Sequence, residues 1–262
     1  MRLCSDPSTN DSEPAVLTPF EIGLLVSVGA VAGVLNTLAG GGSLLTVPLL
    51  VLIGLPGSVA NGTNRVGILL QSLVAVWRFK AEGISELRNS VPLLLPIGLG
   101  SVLGAVAVTR IPDAAFERLF AGVMLLLAIP MLRGFSTPTE VAARRWSPLT
   151  ARLVFFAIGV YGGAIQAGVG IFLVFALTRV GLDLVRASAV KMIVVTGLAL
   201  VAVPVFVFEE RVAWLPAAFI SIGFTLGAAA GARIAVRRGE RVIRPVLAAA
   251  VLALSGHMLG LY

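Results

Sequence analysis

The chain has 262 residues, of which 58% are hydrophobic and 13% charged, where soluble domains carry roughly 45–50% and 25%. That balance excludes an ordinary soluble domain and assigns nearly the whole length to a bilayer. The net charge of +7 comes from basic residues scattered through loops between apolar runs, which argues against a nucleic-acid partner, and a single cysteine, Cys4, excludes an intrachain disulfide or a thiolate metal cluster.

Residues 1–16 are polar and lack the apolar core of a cleavable signal, so they are expected to form a short disordered tail. Five apolar segments follow, at 17–39, 42–55, 60–79, 91–110 and 115–135. A linker over 136–150, expected to be cytoplasmic, leads to five more, at 151–168, 170–181, 186–207, 213–235 and 242–262. The expected fold is an all-α polytopic membrane protein with a first repeat at 17–135 and a second at 151–262. The second and seventh segments are too short to cross, because 14 helical residues reach about 21 Å against about 30 Å of hydrocarbon. Each must lie re-entrant or form a hairpin with the segment before it.

The two halves echo one another. Gly29, Gly33, Asn36 and Gly40 stand 130 residues before Gly159, Gly163, Gln166 and Gly170, and Ala60-Asn61-Gly62-Thr63-Asn64 meets Ala187-Ser188-Ala189-Val190-Lys191 at an offset of 127. Unsatisfied backbone is tolerated at membrane depth only where it lines a cavity or is buried in protein, so paired interruptions in two halves point to a substrate site. If each hairpin returns to its starting face, three full crossings remain per half and the second half is inverted. If the first segment crosses and the second only dips, the halves are parallel. Loop charge favours inversion: with the N-terminus outside, fifteen of the 20 Lys and Arg fall inside, among them Arg78, Lys80, Arg88 and Arg186.

The run Gly40-Gly41-Gly42-Ser43 reads either as an anion cradle of converging N–H groups at a helix start or as a site of close helix packing. Asn61, Gly62, Thr63, Asn64 and Arg65 open the first full crossing, and Lys191 lies within one position of Arg65 by the repeat. A charge at mid-bilayer costs at least about 2.5–3.5 kcal/mol and is a functional hypothesis by default; the alternative is that both side chains snorkel to the interface. Asn36 and Gln166 can face the same cavity or hydrogen-bond between helices, and Gln71 and Thr196 are polar within full crossings. No Asp or Glu lies in the middle of a span, which leaves no evident proton relay and no carboxylate pair for hydrolysis. His257 is the single histidine and no metal-site spacing exists, so no metal or cofactor is expected.

The stretch LNTLAGGGSLLTVPLLVLIGLPGSVANGTN combines a glycine-rich run (Gly40 to Ser43), Pro48, the Gly54-Leu55-Pro56 turn and Ala60 to Thr63 in one order. This pattern resembles the sulfite exporter TauE/SafE family of membrane permeases, over nearly the whole length. The second half departs from it, with Gly170 alone and Asp183 in place of proline. The resemblance implies a permease for sulfite, sulfonates or related small anions. On this reading the substrate-binding residues are Asn36, Gly40 to Ser43, Asn61, Gly62, Thr63, Arg65, Gln166, Gly170 and Lys191, and the partners are a small anion and the lipid bilayer, with a homodimer also admitted. The expected location is the bacterial inner membrane. An intramembrane enzyme acting on a lipid phosphate and a passive anion channel are the competing classes.

Overall fold

The computed structural model describes residues 17–38, 40–133, 146–182 and 184–237, which are helical and free of strands. The expectations for the tail with Cys4, for most of the linker, for Asp183 and for the last apolar segment with His257 lie outside the described residues. The helices are α1 (Pro19–Leu38), α2 (Ser43–Leu52), α3 (Gly57–Ala81), α4 (Leu87–Thr109), α5 (Asp113–Arg133), α6 (Pro148–Ala164), α7 (Val169–Arg179), α8 (Leu184–Phe208) and α9 (Trp214–Arg237). Of these, α1, α4, α8 and α9 are long and apolar enough to cross a membrane. The 25 residues of α3 are long enough too, but its buried face carries Asn61, Thr63, Asn64, Arg65 and Gln71.

Local chemistry sets the helix starts. Thr18 and Glu21 form a capping box on α1, Glu21 Oε2 accepting from the Thr18 N–H at 2.8 Å and Thr18 Oγ1 from the Glu21 N–H at 3.2 Å. Ser147 caps α6 by accepting from the Thr150 N–H at 3.1 Å, and Pro148 occupies the first turn, where no donor is needed. Three starts come three or four residues before the expectation. α4 begins at Leu87 rather than 91, α6 at Pro148 rather than 151, and α3 at Gly57 rather than 60, where Pro56 in extended conformation leads directly into it.

Glycine contacts fix the helix directions. On α1, Gly29 lies against Ile220 and Gly223 of α9 and Gly33 lies against Phe224 and Gly227, so α1 and α9 run parallel. On α6, Gly159 lies against Ile97 of α4 and Gly163 against Ser101, so α6 and α4 also run parallel. A Cβ on any of these four glycines would overlap the carbonyl oxygen facing it, which is why small residues hold helices together where lipid supplies no hydrophobic drive. At the centre, Gly62 near the start of α3 faces Phe206 near the end of α8, while Ala75 and Phe79 cluster with Ala189 and Met192 near the start of α8. α3 and α8 are therefore antiparallel.

These directions also fix the short helices. α3 runs with α9, since Gly67 meets Ser221 and Phe224 and Phe79 clusters with Ala232. α1 and α3 thus begin at the same end, and α2 carries the chain back to it. α7 does the same between α6 and α8. At roughly 15 Å each, α2 and α7 span half the hydrocarbon. Exchanging the halves carries the pair α1–α9 onto α6–α4, α3–α9 onto α8–α4 and α2–α3 onto α7–α8, all of which are packed pairs. The turns match as well: Gly54 and Gly181 close α2 and α7 with φ of +98° and +100°, and Gly83 and Glu210, 127 apart, close α3 and α8 at +83° and +55°.

The outward faces are apolar. Leu95, Leu99 and Leu103 form an exposed stripe along α4, and Leu126, Leu200 and Leu226 project likewise, the surface expected of helices solvated by lipid rather than water.

Candidate functional site

The two broken hairpins meet at their tips. Gly40 turns the chain at a φ of +85°, and a Cβ there would overlap the Gly170 backbone, as one on Gly170 would overlap Gly40. Gly42 is pressed against the Ala32 carbonyl and the Asn36 side chain. The packing role of Gly40, Gly42 and Gly170 is therefore explicit. Gly41 and Ser43 are buried beside them, at the start of α2. That start and the start of α7 both lie inside the protein, and helix N-termini carry partial positive charge.

The breaks are not equivalent. α1 runs five residues past Gly33 to Leu38, whereas α6 stops one residue past Gly163. Asn36 is accordingly helical, while its match Gln166 stands in the break with a φ of +66°. A left-handed non-glycine residue is strained and persists only when its surroundings hold it. Here Arg65 Nη1 donates to Gln166 Oε1 at 3.1 Å.

Arg65 is fully buried. Besides Gln166, its Nη1 donates to the Gly162 carbonyl at 2.9 Å, and its guanidinium lies 4.6 Å from the centre of the Phe206 ring. One turn earlier, Asn61 Nδ2 donates to the Ala164 carbonyl at 2.8 Å. Both α3 side chains thus cover the C-terminal carbonyls of α6, where the helix dipole favours positive charge. Lys191, also fully buried, does the same for the other half: its Nζ donates to the carbonyls of Thr37 at 2.8 Å and of Asn36 and Leu38 at 3.3 Å. Each buried cation caps the broken helix of the opposite half, and neither snorkels.

Arg65 and Lys191 hold different helix ends, Arg65 that of α6 and Lys191 that of α1. They stand in the first halves of two antiparallel helices. Asn61 to Thr63 also differ from the expectation of a helix start. With α3 beginning at Gly57, the helix uses their N–H groups, and they offer side chains alone. Gly62 lets the turn between α8 and α9 approach, since a Cβ there would overlap the Arg211 carbonyl, and Thr63 Oγ1 accepts from the Ala213 N–H at 2.9 Å.

Around Arg65 lies a row of unanswered polar atoms. Among the described residues, eight buried side-chain nitrogens or oxygens have no hydrogen-bond partner, and seven belong to α3: Asn61 Oδ1, Asn64 Nδ2, Arg65 Nε and Nη2, both amide atoms of Gln71, and, near the helix end, Arg78 Nε. Asn64 is tied to the start of α2, its Oδ1 accepting from Thr46 Oγ1 at 2.5 Å, which leaves its Nδ2 as a free donor. Buried polar groups are normally paired, so a row of exceptions on one helix calls for a ligand. Sequence reasoning did not select Asn64 and left Gln71 unassigned. The seven-residue spacing that puts them on one helical face was the available signal.

Ion pairs stand at both ends of the bundle. On the side where α3 begins, Arg211 Nη1 donates to Ser58 Oγ at 3.0 Å and stands 3.9 Å from Asp113, whose Oδ1 accepts from the Ser58 N–H at 2.9 Å. On the other side Arg186 lies 3.6 Å from Glu86.

A family model described as sulfite exporter TauE/SafE matches residues 25–258. The chain is similar to the probable membrane transporter protein ORF9 of a Sinorhizobium species, at 29% identity over 233 residues, 87% of this chain and 88% of that protein. It is also similar to a probable membrane transporter protein of Haemophilus influenzae, at 28% over 228 residues, 86% and 89% of the two chains. The probable membrane transporter protein YfcA of Escherichia coli K12 is 24% identical over 249 residues, 93% and 91%. No solved structure matches.

Proposed function

The chain belongs to the sulfite exporter TauE/SafE family, and from that premise we propose that it is a secondary transporter for a small oxyanion of the sulfite and sulfonate class, working by alternating access. The observation that carries this reading is the buried guanidinium of Arg65, with two N–H-bearing nitrogens unpaired and no Asp or Glu on α2, α3, α6, α7 or α8 among the described residues. A buried cation without a counter-charge is costly, and an anion entering the site supplies both the charge and the acceptors. Asn64 Nδ2 and the N-terminal partial charges of α2 and α7 add to the same field. Gly40 to Ser43, Gln166 and Gly170 shape this centre, while Lys191 and the Asn36 carbonyl hold the first hairpin in place.

The repeats 17–135 and 151–262 are inverted relative to one another. The antiparallel packing of α3 against its match α8 supports this, since a parallel duplication would set matched helices parallel. The N-terminus is read as outside, because Arg78, Lys80, Arg88, Arg152, Arg179, Arg186 and Arg233 gather at one end of the bundle, against Arg110, Arg118 and Arg211 at the other. Arg65 is fully buried, which suits an occluded state, and rocking of one half against the other would open each end in turn.

The test is counterflow in proteoliposomes loaded with sulfite, alkanesulfonates, small carboxylates and phosphate, with lipid phosphates as an added arm. Saturable, trans-stimulated exchange is the result expected of a carrier. Non-saturating flux would indicate a channel and chemical conversion an enzyme, and either would overturn the proposal.

A further inference from the structure

The free atoms on α3 are of two kinds. Arg65 Nε and Nη2 and Asn64 Nδ2 are donors, matched to an oxyanion, but Asn61 Oδ1 and Gln71 Oε1 are acceptors, and a bare oxyanion has nothing to give them. The Asn61 amide cannot turn round to remove the mismatch, because its Nδ2 is committed to the Ala164 carbonyl at 2.8 Å. Asn61 and Arg65 are one turn apart on the same face of α3, so their Cβ atoms are about 5–6 Å from each other. A ligand whose anionic group engages Arg65 therefore has Asn61 Oδ1 within reach of a substituent two or three atoms away.

We infer that the preferred substrate is an oxyanion bearing a neutral hydrogen-bond donor, a hydroxyl or an uncharged N–H, with Asn61 as the residue that selects for it. This rests on the reading of α3 as the anion site. The donor is neutral because Arg65 is fully buried and, among the described residues, α2, α3, α6, α7 and α8 carry no carboxylate. An ammonium group would add a second positive charge beside Arg65.

The experiment uses the full chain in proteoliposomes, with labelled sulfite counterflow and three competitors of one size: ethanesulfonate, 2-hydroxyethanesulfonate and 2-aminoethanesulfonate. The hydroxy compound is expected to compete at a concentration roughly tenfold or more below ethanesulfonate, as when a buried polar group is left unpaired by the analogue, and the amino compound is expected to be weaker than the hydroxy one. Asn61→Leu is expected to bring the hydroxy-to-ethane ratio close to one. The ratio is read within each preparation, so a general loss of folded protein does not move it. Equal competition by ethanesulfonate and its hydroxy analogue would mean that water serves Asn61 Oδ1, and would overturn the inference while leaving the transport reading intact. The amino compound competing best, or Asn61→Leu keeping the wild-type ratio, would overturn it too. Absence of any saturable counterflow would remove the transport reading and this inference together.

Discussion

Replacing Arg65 with methionine removes the guanidinium, its charge and its donors together, and leaves an unbranched apolar stem. The two unpaired nitrogens of Arg65 are each able to make a hydrogen bond to a charged ligand worth about 1.5–3 kcal/mol. Loss of one such bond raises the half-saturation concentration roughly 10- to 150-fold. The same change has a readout free of transport. An anion at one hundred times its dissociation constant stabilises the folded protein by about 2.7 kcal/mol, and at the same concentration the variant should keep only about 0.3–1.4 kcal/mol. In detergent this means that an anion-induced rise in Tm of upward of 5 °C shrinks to a few degrees or less. The ligand-free variant need not be unstable: it loses the bonds to the Gly162 carbonyl and Gln166, but also a buried cation whose desolvation is expensive. Uptake and melting would be measured on Arg65→Met verified as inserted. An unchanged half-saturation together with an unchanged anion-induced shift would refute the assignment of Arg65 to the site.

Lys191→Met should act oppositely. It orphans the α1 carbonyls, at about 1–3 kcal/mol for the Thr37 oxygen alone, so the ligand-free Tm should fall by several degrees while the relative affinities of competing anions stay as in the wild type; a changed order of anions would bring Lys191 into the binding site. Gly40→Ala combines a left-handed φ with an overlap on the Gly170 backbone, and should cost more than 1 kcal/mol from the backbone alone. Folded yield and Tm measure it, and a wild-type Tm would mean that the hairpin tips do not meet as described. For orientation, Cys4→Ser provides a background for single cysteines at Gly54, Arg110 and Glu82. An impermeant thiol reagent applied to intact cells should label the first two and should reach the third only after permeabilisation, and the reverse pattern would place the N-terminus inside.

The span pattern, the two short arms and the glycine interruptions were legible in the chain because each is a local property: helix length against bilayer thickness, hydropathy, and residues without a Cβ. The 130-residue match of Gly29 and Gly33 with Gly159 and Gly163 also corresponds to a real equivalence, since both pairs seat a neighbouring helix backbone. That match continues to Gln166 in sequence but not in structure, where α6 ends a turn early. The cause is not local: Arg65 and Asn61, about 100 residues away, hold the carbonyls that the break exposes.

The same reasoning explains the pairing of Arg65 with Lys191, which stand at nearly matched positions in the repeat. Matched positions on antiparallel helices fall at opposite depths, and only the direction of α3 against α8 reveals that separation. Composition and periodicity therefore determined that this chain is a duplicated membrane protein with broken helices and an arginine within its first full crossing. Tertiary structure decided which polar atoms on α3 remain unpaired, because whether a buried donor or acceptor is satisfied depends on what the rest of the fold places against it.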